Sequence, residues 1–265
     1  MKNKVIISVA PVSAVPHAIN TQHLAQEITD CAAAGASMVH LHVRDHDGRL
    51  TKDVHEFAVL LDSIRTQSNI VLQASTGGIS KLTIEERCAP LGLSLVETCS
   101  LNVGSVNLGG HVYMNPPEDV KYCVQKLLMH DKIPEVEIFE IGMVEAMRCM
   151  QNTFTFKAPL LYNLVLGHEG AAPATAKALT AMWQYLDPQH LWGFTQAHRT
   201  DFSLMACALG LGARLIRIGH EDSPFIAPEK KASNAALVAQ LAILIRAIGL
   251  DIATPDEARH MMGVV

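Results

Sequence analysis

The chain has 265 residues, 49% of them apolar and 18% charged, with a formal net charge of −5 and a pI near 6.2. That length suits one large domain, a common size for an α/β barrel, with enough apolar mass for a sizeable core. The acidic balance argues against a nucleic-acid binder, which carries a basic face, but leaves room for small anions held by individual arginines.

In chain order, residues 5–10 read as a first strand and Thr21–Ala34 as a helix ended by Gly35. A second strand covers 37–43, and Asp47-Gly48 marks a turn. Residues 54–65 have helical apolar spacing at Phe57, Leu60, Leu61 and Ile64. A third strand at 70–74 is closed by Ser75-Thr76-Gly77-Gly78. A short helix over 83–91 opens with a capping-box pattern, and 93–97 read as the fourth strand. A Gly- and Asn-rich loop over 101–115 leads to a helix that Pro116-Pro117 opens and that runs to about His130.

The alternation continues with strands at 136–139, 160–166, 191–195 and 213–218, and helices at 144–151, 175–186 and 200–210. A long helix over 230–248 and a short one over Pro255–Met262 close the chain. Eight strand–helix repeats predict a parallel (β/α)8 TIM barrel, α/β in class, as a single domain over 1–265 with a C-terminal helical extension. A doubly wound open sheet is the weaker alternative, because no G-x-G-x-x-G follows the first strand.

The six cysteines are scattered without a CxxC pair, which suits reduced thiols in a cytoplasmic protein. Met1-Lys2-Asn3-Lys4 runs straight into a strand, so no signal peptide is expected, and no apolar run is long enough for a membrane span.

A barrel of this kind places its active site at the C-terminal ends of the strands. There the sequence puts His40, His42 and Arg44, then Ser75, then Glu97 and Ser100, then Glu137 and Glu140, then His198 and Arg199, and finally Arg217, Glu221 and Asp222. His40 and His42 face the same side of a strand, about 7 Å apart, a workable bite for one divalent ion. Glu221 is the candidate third ligand, which leaves an open position of the catalytic zinc type. Two hydrogen-bonded interior histidines are the other reading.

An inward Glu137 needs a cation or a proton-transfer role, and an ion pair with Arg44 would also satisfy it. Arg217 beside Asp222 is expected to lower the carboxyl pKa and keep it ionised as a base, or simply to form a buried pair. The Ser75–Gly78 turn could offer N–H groups and a hydroxyl to an anion, or be a plain turn. The loop over 167–175 could hold an anion at a helix start, or be an ordinary cap.

Five segments in order, His-Leu-His-Val-Arg-Asp, Ser-Thr-Gly-Gly, Pro-Glu-Val-Glu-Ile-Phe-Glu, Leu-Gly-His-Glu-Gly-Ala-Ala-Pro-Ala-Thr and Ile-Arg-Ile-Gly-His-Glu-Asp, resemble the β-keto acid cleavage enzymes. The likeness extends to the tail, through Ser233-Asn234 and Ala253-Thr254-Pro255-Asp256. It implies a zinc-dependent barrel, a homotetramer in other members, that condenses a β-keto acid with acetyl-CoA. The adduct then splits into acetoacetate and a new acyl-CoA.

By motif position the resemblance gives His40, His42 and Glu221 as zinc ligands. Ser75, Gly78 and Ser100 would contact substrate, and Glu137 with Arg217 and Asp222 would carry the chemistry. Arg199 or the 167–175 loop would then hold CoA phosphates. Family members acting on an aminated keto acid place a glutamate where this chain has Val15, so a substrate without a positive charge is expected. Two rivals stand beside this reading: a metal-dependent hydrolase of the amidohydrolase type, and a non-catalytic acyl-CoA-binding barrel.

Overall fold

The computed structural model describes residues 3–157 and 159–264; Met1 and Lys2, at the start of the expected strand lead-in, lie outside them. Eight parallel strands close on themselves: β1 (Lys4–Val9), β2 (Met38–Leu41), β3 (Val71–Ser75), β4 (Thr98–Asn102), β5 (Ile133–Ile138), β6 (Leu161–Leu166), β7 (Leu191–Gln196) and β8 (Leu215–Ile218). Each pairs with its sequence neighbour, and β8 returns to β1 with Ser8 opposite Arg217 and Val9 opposite Ile218. This is the (β/α)8 barrel expected from the alternation.

The helices are α1 (Thr21–Ala34), α2 (His55–Gln67), α3 (Ile84–Arg87), α4 (Pro117–Met129), α5 (Gly142–Gln151), α6 (Ala176–Trp183), α7 (Ser203–Gly210), α8 (Asn234–Ala247) and α9 (Pro255–Met262). Their ends follow local chemistry. Asn20 accepts from His23 N–H to start α1, and Gly35 ends it at φ +121°. The capping box read at Thr83 forms with Glu86, and a second joins Thr254 to Glu257 at the start of α9.

The two-residue period of the strands divides the barrel into two environments. Outward residues such as Val5, Ile7, Val39, Leu72, Val136, Leu164 and Phe194 pack under the helices. Inward residues at the N-terminal end form an apolar layer from Ile6, Met38, Val71, Ile133, Leu161 and Leu215. Helix α9 plugs it from below with Ala258, Met261 and Met262. The next inward positions are polar: Ser8, His40, Gln73, Glu135, Asn163 and Arg217, all buried.

The fourth strand is Thr98–Asn102, not 93–97. Pro90 lies in a 3-10 turn over Ala89–Gly92, and Leu93 and Val96 close further turns onto Pro90 and Leu93 carbonyls. The apolar residues there, Leu93, Leu95 and Val96, pack into the main core under the helices. The true strand shows a weak apolar signal because its inward residues, Thr98, Ser100 and Asn102, face the polar interior. Glu97 therefore sits at the opposite end from the active face, ion-paired to Arg65 (2.7 Å) and Arg259 (2.5 Å).

The 101–115 loop contains a hairpin, Val106–Leu108 with His111–Tyr113. The long C-terminal helix starts at Asn234, and the segment before it pairs Phe225–Ala227 with Lys230–Lys231.

Candidate active site and metal centre

One cavity of about 660 Å3 opens at the C-terminal ends of the strands, lined by His40, His42, Ser75, Gly77, Gly78, Tyr113, Glu137, Phe139, His168, His198, Arg217, Glu221 and Asp222, among others. β2 carries His40, and His42 follows one residue past its end; their rings meet edge-on with centroids 5.3 Å apart. Glu221 arrives from the turn after β8. Gly219 makes that turn at φ +148°, where a Cβ would stand 2.1 Å from the Ala10 carbonyl oxygen. Glu221 Oε1 lies 3.3 Å from His42 Nε2 and 3.7 Å from His40 Nε2. Among the described residues these three form the one group of His, Cys, Asp or Glu whose ligand atoms all lie within 4.8 Å of each other.

The residues behind His40 prepare it for an ion. Gln73 Nε2 donates to Glu135 at 2.9 Å, which turns its amide oxygen towards His40 Nδ1 at 2.6 Å. An oxygen there requires the proton on Nδ1, so Nε2 carries a bare lone pair facing Glu221. That buried Nε2 has no hydrogen-bond partner, and neither does His42 Nδ1. Burial also pushes His40 down to about 3, so the ring is neutral. Burial pushes Glu221 up, but His42, His40 and Arg217 outweigh it and hold the carboxyl well below its usual range. Two imidazoles, one of them with a bare buried Nε2, and an ionised carboxylate are a donor set that fits a catalytic divalent ion such as zinc, and the orphaned His40 Nε2 is the sign of it.

Beside this cluster lies a buried guanidinium between carboxylates. Arg217 donates to Asp222 through Nε (3.1 Å) and Nη2 (2.7 Å), and to Glu137 through Nη1 (2.9 Å). Glu137 thus pairs with Arg217 rather than Arg44, whose Nη1 donates to the Gly48 carbonyl. Asn102 donates to the other Glu137 oxygen at 3.0 Å. Burial raises Glu137 to about 7 against the opposing pull of Arg217. Asp222 differs from the sequence expectation: burial outweighs Arg217 and raises its pKa, so the carboxylate is more basic than an exposed one. A raised pKa strengthens a base while the guanidinium still orients it.

The remaining candidates divide. Ser75 lines the cavity, and its hydroxyl lies 3.2 Å from that of Ser100, which sits behind it, fully buried. Gly78 lines the cavity too, but its N–H donates to Tyr113 Oη at 3.1 Å. Val15 is 72% exposed; its neighbours Ala14 and Pro16 face the cavity. Arg199 is 1% exposed and donates to the Phe225 and Ser223 carbonyls, so it is structural and does not offer itself to CoA phosphates. Thr175 caps α6 through Ala178 N–H, the ordinary cap that was the alternative reading of this loop. His220 bonds the Ala232 carbonyl and faces away from the cavity.

Gln73, Asn102, Tyr113 and His168 were not singled out from sequence. Gln73 shares parity with Ser75 in an otherwise apolar strand, which was a readable signal; Tyr113 comes from a loop and had none.

A (β/α)8 barrel with a His-His-Glu cluster that fits a metal ion, set beside a buried carboxylate–guanidinium pair in one cavity, is the framework of an enzyme. The chain belongs to the β-keto acid cleavage enzyme family, whose family model matches residues 4–264. It is 33% identical to a 3-keto-5-aminohexanoate cleavage enzyme of Fusobacterium nucleatum, over 95% of this chain and 91% of the relative. It is also 33% identical to a 3-oxoadipate:acetyl-CoA acetyltransferase of Cupriavidus necator, over 95% and 88% respectively. The fold matches that of ObcA bound to oxaloacetate with a TM-score of 0.75 at 20% identity, over 92% of this chain and 66% of that one.

Proposed function

We propose that this protein exchanges acyl groups between a β-keto acid and acetyl-CoA, giving acetoacetate and a new acyl-CoA. The observation carrying this reading is the Asp222–Arg217–Glu137 array set beside the His40–His42–Glu221 cluster in one cavity. In this reading Asp222, held two-pronged by Arg217, takes the proton between the two carbonyls of the substrate. Glu137 holds the far side of Arg217 and so fixes the angle of the base. The resulting carbon nucleophile attacks the thioester carbonyl of acetyl-CoA. The CoA thiol then moves within the adduct to the original keto carbon, and the bond between that carbon and its neighbour breaks, the electron pair staying on the neighbour, which takes the proton back from Asp222 to give acetoacetate. His40, His42 and Glu221 would hold zinc, which when bound supplies Lewis acidity towards the keto and carboxylate oxygens.

The same reading keeps Ser75, Gly78 and Ser100 in the substrate subsite, Ser75 lining it with Ser100 bonded behind and Gly78 bonded to Tyr113, and takes a cytoplasmic homotetramer as the working form. Free thiols at all six cysteines are in keeping with that compartment. No helix among the described residues is long and apolar enough to cross a membrane. The substrate side chain carries no positive charge where Val15 replaces an acidic residue. Turnover of 3-keto-5-aminohexanoate as fast as the best neutral keto acid would reject that preference.

The test of the whole reading is metal analysis with a panel of β-keto acids and acetyl-CoA, following acetoacetate and new acyl-CoA. Acetoacetate formed only when acetyl-CoA is present is the expected result. Full activity in His40→Ala, or no acetyl-CoA-dependent product from any keto acid, would overturn it.

A further inference from the structure

Tyr113 ends the Val106–Tyr113 hairpin and reaches across to the turn after β3. Its ring is held on two sides, edge-on to Phe139 with centroids 6.3 Å apart and beneath the Arg87 guanidinium at 5.6 Å. Its hydroxyl rests on Gly77, where a Cβ would fall 1.9 Å from the oxygen, so only glycine lets the two approach. The Gly78 N–H donates to this oxygen at 3.1 Å. The residue is 4% exposed and lines the cavity.

Those contacts occupy the hydroxyl oxygen and leave its proton free. Among the described residues no acceptor takes that proton. Burial pushes the phenol pKa up, so the group stays an O–H donor at working pH. A hydroxyl that already accepts a hydrogen bond is polarised towards giving a stronger one. Beside that turn, Ser75 at the end of β3 and Ser100 on β4 share one hydrogen bond between two hydroxyls, which leaves one of the two protons free. Glu137, which lines the same cavity, is already bonded to Asn102 and Arg217.

We infer that Tyr113 is a substrate-positioning residue: its hydroxyl takes over the Gly78 N–H and donates in its place to a carboxylate oxygen of the keto acid, with the Ser75–Ser100 pair serving the other oxygen. This rests on the keto-acid reading of the cavity.

The test is calorimetric titration of metal-loaded wild type and Tyr113→Phe with acetoacetate, and with acetylacetone, which lacks the carboxylate. Loss of one hydrogen bond to a charged oxygen is expected to weaken acetoacetate binding about tenfold in the variant and leave acetylacetone unchanged. Acetoacetate affinity within a factor of about two of wild type, or an equal loss for both compounds, would overturn the inference, the latter by exposing a purely structural role. Should the variant fail to fold, a crystal structure of wild type with acetoacetate decides. Tyr113 Oη within about 3 Å of a carboxylate oxygen is expected, and a separation beyond about 4 Å overturns it. The family reaction fails separately, if the wild type makes no acyl-CoA from any keto acid and acetyl-CoA.

Discussion

A histidine can give a metal only the ring nitrogen that its neighbours leave bare, and at His40 an amide makes that choice. Gln73 is itself oriented by Glu135, which Asn163 holds at 2.5 Å. Gln73→Leu keeps the volume and removes the orienting oxygen. It should weaken metal binding about 10- to 100-fold in a chelator competition, with the fold intact by circular dichroism. At Glu137 the consequence is one of pH. Its carboxyl rises from 4.5 to about 7 in the folded protein, so the native state holds that proton more tightly than the unfolded one. The associated stability is present at low pH and is lost as pH climbs through about 7. In metal-stripped protein, the melting temperature of wild type should therefore fall over this interval more steeply than that of Glu137→Gln. Parallel slopes would show that Glu137 does not titrate there.

Elements are where apolar pattern and position part company. The run over 93–97 alternates like a strand but is a covering turn, while β4 hides its strand character because three of its five residues face a polar interior. With β4 in place, Glu97 belongs to the barrel base, where it ties α2 through Arg65 and α9 through Arg259 to the start of β4. Arg259 also donates to the Asn69 carbonyl just before β3. Glu97→Ala would leave two guanidiniums without their carboxylate. Because the group is partly exposed, the expected cost is about 2–3 kcal/mol, somewhat below that of a fully buried pair. Chemical denaturation should show that loss, and kcat at low temperature should stay near wild type because the site lies at the opposite end. A fall in kcat without loss of stability would contradict this assignment.

At the scale of the whole molecule, the site exists because the barrel closes. β8 must lie against β1 for Glu221 to reach β2, and Gly219 allows the approach by letting the turn pass against Ala10. Gly219→Ala should push that turn away from β1, lowering metal occupancy sharply and destabilising the fold; wild-type metal content and melting temperature in this variant would refute the closure argument. Closure also explains the division of the interior. The apolar layer and α9 seal the bottom, and above it the chain of bonds Gln73–Glu135–Asn163–Thr195 ties the polar side chains of β3, β5, β6 and β7 together.

Much of this was legible from the residues alone. The strand–helix alternation set the barrel, the His-x-His pair and the Glu221-Asp222 pair marked its active end, and five ordered segments pointed to the family. Those signals are local: periodicity, caps and spacing are properties of neighbours in sequence. Residues whose roles depend on distant strands could not be read this way. The bond from Gln73 to His40 crosses 33 residues and that from Arg217 to Glu137 crosses 80, and only the closed barrel brings each pair into contact. The rise of Asp222 against the pull of Arg217 was likewise decided by the tertiary structure, because burial depends on what the whole chain places around a group and not on which residue lies five positions away.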